Sequence, residues 1–177
     1  MEDNYVKLAK KAVRKAVTGD VVEEIQKLKA ELPQVSRGVF VTLKKSNHEL
    51  RGCIGTYTPV TETVGDEILR NASSAALEDP RFPPVKPVEL EEITLSVDIL
   101  TEPETCKAED LDPDKYGVIV KKGSRSGLLL PDLDGVDSVE EQIDIAKKKA
   151  GIPPVDENFV TKRFEVERHE GEKPIGN

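Results

Sequence analysis

The stretch Leu50-Arg51-Gly52-Cys53-Ile54-Gly55 sets a thiol and a guanidinium two positions apart, with a glycine between them and another just beyond. On an extended strand successive side chains alternate, so Arg51 and Cys53 share one face with Glu49, while Leu50 and Ile54 turn to the core. Their Cα atoms then stand about 7 Å apart, close enough for the cation to favour a thiolate. Gly52 and Gly55 weaken a strand and are tolerated where the backbone bends or another group approaches closely. Thiol, cation and bare backbone together could bind an anion or host a nucleophile. The structural alternative is a small, buried, inert cysteine on a bulged strand. A nucleophile also needs a base. The nearby histidine in sequence, His48, falls in a polar turn, where a solvated ring is the ordinary outcome.

A second segment, Glu78-Asp79-Pro80-Arg81-Phe82-Pro83-Pro84, follows a helical stretch. Two carboxylates at a helix C-terminus oppose its dipole, so a cation must compensate them, and Arg81 and Arg51 are the candidates. Either these residues form a carboxylate–arginine network lining a cleft, or they are a surface loop stiffened by three prolines and anchored by Phe82. Gly123-Ser124-Arg125-Ser126-Gly127 matches no phosphate-loop pattern and reads as a hairpin turn. Lys147, Lys148 and Lys149 read as a solvated helix face with one lysine turned inward. Asp132, Asp134 and Asp137 lack the twelve-residue loop and terminal glutamate of a calcium site, so no metal ligand set is expected, and the pattern names no cofactor.

The elements that must position these groups come from 177 residues, 37% hydrophobic and 34% charged, with a formal net charge of -8. That length suits one domain, with room for two lobes, and that charge disfavours nonspecific binding to nucleic acid or anionic membrane. No apolar run approaches the roughly 18 residues a membrane span needs, and the acidic start Met1-Glu2-Asp3 lacks a signal-peptide core. Cys53 and Cys106 form neither a CxxC pair nor a disulfide framework, so two free thiols in a reducing cytoplasm are expected.

Helical spacing runs from Asp3 through Tyr5, Leu8, Ala9, Ala12, Val13, Ala16 and Val17 to a closing Gly19. Val21 to Leu32 predicts a second helix, Gly38 to Lys44 and Glu49 to Gly55 a hairpin, and Thr61 to Leu77 a helix. Glu91 to Leu100 alternates, with Ile93, Leu95, Val97 and Ile99 on one face and Thr94, Ser96 and Asp98 on the other. Tyr116 to Lys122 and Gly127 to Leu130 form another hairpin, turning at Gly123-Ser124. Ser138 and Glu141 open a helix that runs to Ala150, and Val160 to Glu167 returns as an edge strand. The fold class is α/β of the α+β kind, a largely antiparallel sheet flanked by helices.

Taken together, Gly38 to Leu43, Leu50 to Gly55, Glu78 to Pro84, Tyr116 to Val120, Gly127 to Pro131 and Lys149-Ala150-Gly151 resemble the AMMECR-one domain family, in that family's order, from about Tyr5 to Glu167. The block Leu-Arg-Gly-Cys-Ile-Gly is its hallmark, and Asp134-Gly135-Val136-Asp137 resembles the prokaryotic branch. The resemblance implies a single domain over 1–177 with a smaller second lobe and a cleft bordered by the hallmark segment. It carries over Cys53, Glu78 and Asp79 as catalytic candidates, and Arg51, Gly52, Gly55, Arg81, Arg125 and Lys149 as ligand-binding ones. Tryptophan is absent, whereas many relatives carry one after the Leu-Leu-Pro segment. The chain looks like component A of the AmmeMemoRadiSam system, which implies a Memo-like protein and a radical SAM protein as partners.

Two functional expectations stand almost level. In one, the chain is an enzyme or enzyme component: Arg51 and Arg81 hold a small anionic ligand, Cys53 is nucleophile or acid, and Glu78 or Asp79 orients or exchanges protons. In the other it is a non-catalytic module that recognises a partner protein or peptide. Nucleic-acid binding ranks below both, because it needs a basic face against the net charge of -8.

Overall fold

The computed structural model describes residues 2–176. α1 (Asn4–Thr18) starts where the Asp3 carboxylate accepts the Val6 N–H, and it closes on Gly19 at a φ of 74°. Leu8, Ala9, Ala12 and Val13 are buried along it, as their spacing requires. α2 (Ile25–Glu31) is shorter than the apolar spacing suggests. Glu24 sits at a φ of 69°, so the helix begins only after it, and Val21 is left almost fully exposed.

β1 (Val39–Lys45) and β2 (Leu50–Thr56) make the expected hairpin, with His48 in the turn at a φ of 66°. α3 (Val64–Leu77) is N-capped by Thr63, and β3 (Ile93–Leu100) follows after a proline-rich segment and a short 3-10 turn at Pro87–Glu91. β4 (Glu104–Cys106), β5 (Gly117–Lys122), β6 (Arg125–Leu129), α4 (Val139–Ala150), β7 (Val160–Phe164) and β8 (Val166–Glu170) complete the chain. The capping box of Ser138 and Glu141 and the left-handed Gly151 bound α4 as the sequence indicates.

The chain divides into two compact units. The first comprises the residues up to Ile99 and those from Glu167 onward; the second is Leu100–Val166. The first holds a four-stranded sheet in the order β2-β1-β3-β8, and the second a four-stranded sheet in the order β4-β7-β5-β6. The fold is mixed α/β with antiparallel pairing in both sheets. In the first unit Val39, Val41, Leu43, Leu95, Val97 and Ile99 form the buried face of the sheet and join the apolar stripes of α1 and α3 in one core. In the second, Val118, Val120 and Leu129 pack with Ala146, Ala150 and Ile152.

Two readings of the sequence change. The tail is two strands in different sheets, broken at Glu165, whose N–H donates to the Thr101 hydroxyl. β7 lies between β4 and β5, an interior position, and three-residue β4 is too short for any alternation to show. Leu50 does not face the core. The β1–β2 register slips between Leu43 and Lys44, so Gly52 pairs with Leu43, Leu50 with Lys44, and Arg51 is left with no β1 partner. One extra residue reverses the facing of what precedes it, so Leu50 is 37% exposed and Arg51 only 5%.

Candidate functional site

β2 is an edge strand, and its two glycines answer to two different neighbours. A Cβ on Gly52 would stand 2.2 Å from the Ala75 carbonyl oxygen, so bare backbone is what lets α3 lie against β2. A Cβ on Gly55 would stand 2.1 Å from the Phe40 ring, which crosses the strand there. Protein groups thus fill the space over both glycines.

Arg51, turned inward by the register slip, makes a two-pronged ion pair with Glu89: Nε donates to Oε1 at 2.8 Å and Nη2 to Oε2 at 3.1 Å. Arg51 holds the Glu89 carboxyl below its usual range. Phe82 lies near both arginines, its ring centre 6.0 Å from the Arg51 guanidinium carbon and 5.5 Å from that of Arg81.

Asp79 is the hub of the site. Its Oδ2 accepts the Cys53 backbone N–H at 2.9 Å and Arg81 Nη2 at 2.8 Å; its Oδ1 accepts Arg81 Nε and the Arg81 backbone N–H, both at 3.0 Å. Arg81 Nη2 also reaches the Cys53 carbonyl at 3.4 Å. A carboxylate on the edge N–H and a guanidinium on the edge C=O of one residue act as a substitute strand and blunt the edge of β2. These bonds, led by Arg81, hold the Asp79 carboxyl far below the ordinary carboxylate range against the effect of burial. Pro80 sits between the two and fixes the tight loop that brings Arg81 back over its own neighbour. Asp79 is therefore the carboxylate that the α3 terminus needed compensated, and Arg81 compensates it. Glu78 stays exposed, accepting the Ser74 hydroxyl at 3.0 Å.

The Cys53 side chain is half-buried on the sheet face opposite α3, with its Sγ 3.3 Å from Thr42 Oγ1. Burial pushes the thiol up; Thr42 and Arg81 oppose that rise, and the charges of Asp98 and Asp79 add to it. The guanidinium beside this thiol is that of Arg81, while Arg51 is committed to Glu89. Asp98 shares the face and is itself held by Arg168, Nε to Oδ1 at 2.8 Å and Nη2 to Oδ2 at 3.1 Å. His48 is exposed in the hairpin turn.

Arg125 and Lys149 lie in the second unit. Arg125 Nη1 donates to the Gly151 carbonyl at 2.9 Å and Lys149 Nζ to the Leu128 carbonyl at 3.3 Å, tying β6 to the end of α4. Lys147 is the inward lysine of its run, bonded to the Pro154 carbonyl at 2.6 Å and lying over the Phe159 ring. Sequence reasoning singled out neither Glu89, Thr42, Asp98 nor Arg168 as part of the site. For Asp98 a signal was available: a carboxylate on the polar side of a strongly alternating strand, in a sheet interior, must find a cation.

The AMMECR1 family profile matches residues 6–173. A Thermotoga maritima protein is 52% identical over 170 residues, covering 95% of this chain and 98% of the relative. A Clostridium acetobutylicum protein is 50% identical over 170 residues, and there the chain spans only 36% of the relative's length. The crystal structure of an uncharacterized protein, PH0010 from Pyrococcus horikoshii, shares the fold with a TM-score of 0.83 and 34% identity over 98% of this chain and 95% of that one. No described helix is long and apolar enough to cross a membrane. With nearly its whole length matched by the profile and by relatives this similar, the chain belongs to the AMMECR1 family.

Proposed function

We propose that the first unit binds a small anionic ligand at the Cys53 face, with Arg81 as its cationic anchor and the Cys53 thiol as hydrogen-bond and proton donor. One observation carries this reading. Asp79 fixes the Arg81 guanidinium through Nε and Nη2, while Nη1 has no partner among the described residues and the side chain is 55% exposed. A guanidinium held flat, with one N–H₂ edge open, is organised for a carboxylate or phosphate before the ligand arrives. The raised thiol fits the same reading: S–H donates to an anion, whereas a thiolate would repel it. Cys53 then serves as an acid in any reaction at this face, with Asp79 holding both Arg81 and the Cys53 backbone in place.

The test is binding of inorganic phosphate, sulfate and acetate, followed by amide chemical shifts and thermal unfolding, in the wild type and in Arg81→Gln and Arg81→Lys. Anion-dependent shifts at Cys53 and Arg81 that vanish in Arg81→Gln and persist weakly in Arg81→Lys support the reading. Shifts that Arg81→Gln leaves unchanged overturn it.

A second reading is a docking module for another protein, with the Memo-like and radical SAM proteins implied by resemblance as candidate partners. Leu50 and Val88, sequence neighbours of the Arg51–Glu89 pair, are exposed, as is Leu77 at the end of α3. The Clostridium acetobutylicum relative also carries this domain within a longer chain. Co-purification that Leu50→Ser or Val88→Ser abolishes, with Arg81→Gln harmless, would favour docking over ligand binding.

A further inference from the structure

Elsewhere in the first unit, a cavity of about 560 Å³ opens between α1 and the segment that leads into α2. Gly19 ends α1 in the left-handed region, and the chain turns back from there. The Lys11–Glu24 ion pair, at 3.0 Å, ties the returning segment to the helix. Lys7, Lys11 and Arg14, at i, i+4 and i+7, form one stripe along about 10 Å of α1 and line the cavity on that side. Asp20 and Glu23 line it from the returning segment, and Val22 and Ile175 add apolar surface.

Two of the cations here are already used. Lys10, buried beneath the stripe, gives its ammonium to Glu2 and to the carbonyls of Lys173 and Pro174. Lys11 is held by Glu24. That leaves Lys7 and Arg14 on α1 against Asp20 and Glu23 on the returning segment. None of these four side chains has a hydrogen-bond or ion-pair partner among the described residues, and Lys7 acts on Glu24 only through space. Opposite charges thus border one hollow without touching each other. A lone anion at Lys7 and Arg14 would meet carboxylates across the cavity, and a lone cation would meet the reverse; a molecule that carries both charges satisfies both sides.

We infer that this cavity takes a small zwitterion of the amino-acid and short-peptide class, its carboxylate toward Lys7 and Arg14, its ammonium toward Asp20 and Glu23, and an apolar side chain against Val22 and Ile175. The volume falls within the roughly 300–1,000 Å³ usual for small-molecule sites. Arg14, Asp20 and Glu23 are exposed, so these contacts are made in contact with water and weaken with salt. The site goes beyond the anion-binding reading of the Cys53 face and shares no residue with it.

The experiment follows backbone amide shifts at low ionic strength on titration with leucine, dileucine and trileucine, and with isocaproate and isoamylamine, which each keep one of leucine's two charges. The zwitterions should shift amides of α1 and of residues 20–23, and the length that binds tightest tells a free amino acid from a peptide. Each one-charge analogue should bind about tenfold more weakly than leucine, having lost one charge-assisted contact. Arg14→Gln should bring leucine down to the affinity of isoamylamine, and Asp20→Asn down to that of isocaproate. Both residues are exposed, so neither substitution disturbs the core, and phosphate-dependent shifts at Cys53 should be the same in both variants as in the wild type. If isocaproate or isoamylamine binds as tightly as leucine, one wall alone recognises the ligand and the zwitterion is wrong. If no zwitterion shifts these amides, or if both variants bind leucine as the wild type does, the inference falls, whatever phosphate does at Cys53.

Discussion

Both units press a glycine of an edge strand against the backbone of a helix: Gly52 of β2 under Ala75 of α3, and Gly127 of β6 under Ala146 and Ala150 of α4. A Cβ would stand 2.2 Å from the Ala75 oxygen in one case and 2.1 Å from the Ala146 oxygen in the other. The packing device is the same, but the polar groups around it are not. Beside Gly52 each ion pair has one buried member, Arg51 on Glu89 and Asp79 on Arg81. Beside Gly127 the cations are exposed, and Arg125 and Lys149 reach only backbone carbonyls. A glycine in a strand therefore marks where a helix comes close. What distinguishes the first unit is charge carried inward and paired, with the Cys53 thiol beside it.

The glycine contacts should give the largest effects. Gly52→Ala and Gly127→Ala each force a methyl into a backbone carbonyl that cannot swing aside, so each should cost about 3 kcal/mol in urea unfolding, at the upper end for overpacking. A much smaller loss at Gly127 would mean the two contacts are not equivalent. Gly55→Ala meets a ring instead, and Phe40→Leu in the same chain should recover part of its loss, a coupling read from a double-mutant cycle.

Next comes the hub. Asp79→Asn leaves Arg81 half-satisfied and weakens the bond to the Cys53 N–H, a loss of about 2 kcal/mol at neutral pH. The sign of its pH dependence follows from the lowered carboxyl. Stability from Asp79 is fully present above the ordinary carboxylate value of about 4 and is lost as pH falls towards its lower folded-state value. Asp79→Asn should therefore flatten the acid side of the stability curve below about pH 4, while Asp156→Asn in the second unit, a half-buried partner of Lys122, should flatten it less.

Much of this fold was legible because it rests on local rules. Alternation in β3, the Ser138 box and the left-handed glycines at 19 and 151 each act within a few residues. The hallmark segment was legible as a strand and as a place of interest, and Asp79 with Arg81 as a compensated pair. The facing of Arg51 was not, because it depends on a slip against β1 that no residue of β2 announces by itself. Arg168 was likewise hidden, 70 residues from Asp98 in sequence and joined to it only by sheet order. Alternation predicts which side chains agree with one another; register decides what they meet.

The thiol sharpens the contrast at smaller magnitude. With burial and two carboxylates pushing it up, Cys53 should react with iodoacetamide at neutral pH more slowly than an ordinary exposed thiol, its rate rising only at more alkaline pH. Asp98→Asn should move that rise to lower pH, and Thr42→Val to higher pH, since Thr42 is the bond that opposes the shift. Mass spectrometry of the Cys53 peptide follows this apart from Cys106, whose thiol burial also pushes up. A Cys53 that alkylates fastest near neutrality would mean a thiolate, and with it a nucleophile in place of a donor.

The smallest effect should come from the second unit. Arg125→Ala and Lys149→Ala each remove one exposed bond to a carbonyl that water can satisfy, so each should cost about 0.5 kcal/mol or less. Neither should alter phosphate binding at the Cys53 face, because each is bonded within the second unit, between β6 and the end of α4. The pair is informative because the resemblance carries both residues over as ligand-binding. A loss of anion affinity in either variant, with stability intact, would extend the ligand beyond the first unit and end the separation of scaffold from chemistry drawn between the two glycine contacts. Unchanged affinity alongside a lowered melting temperature would leave Arg125 and Lys149 as the stitches that hold β6 to α4 and nothing more.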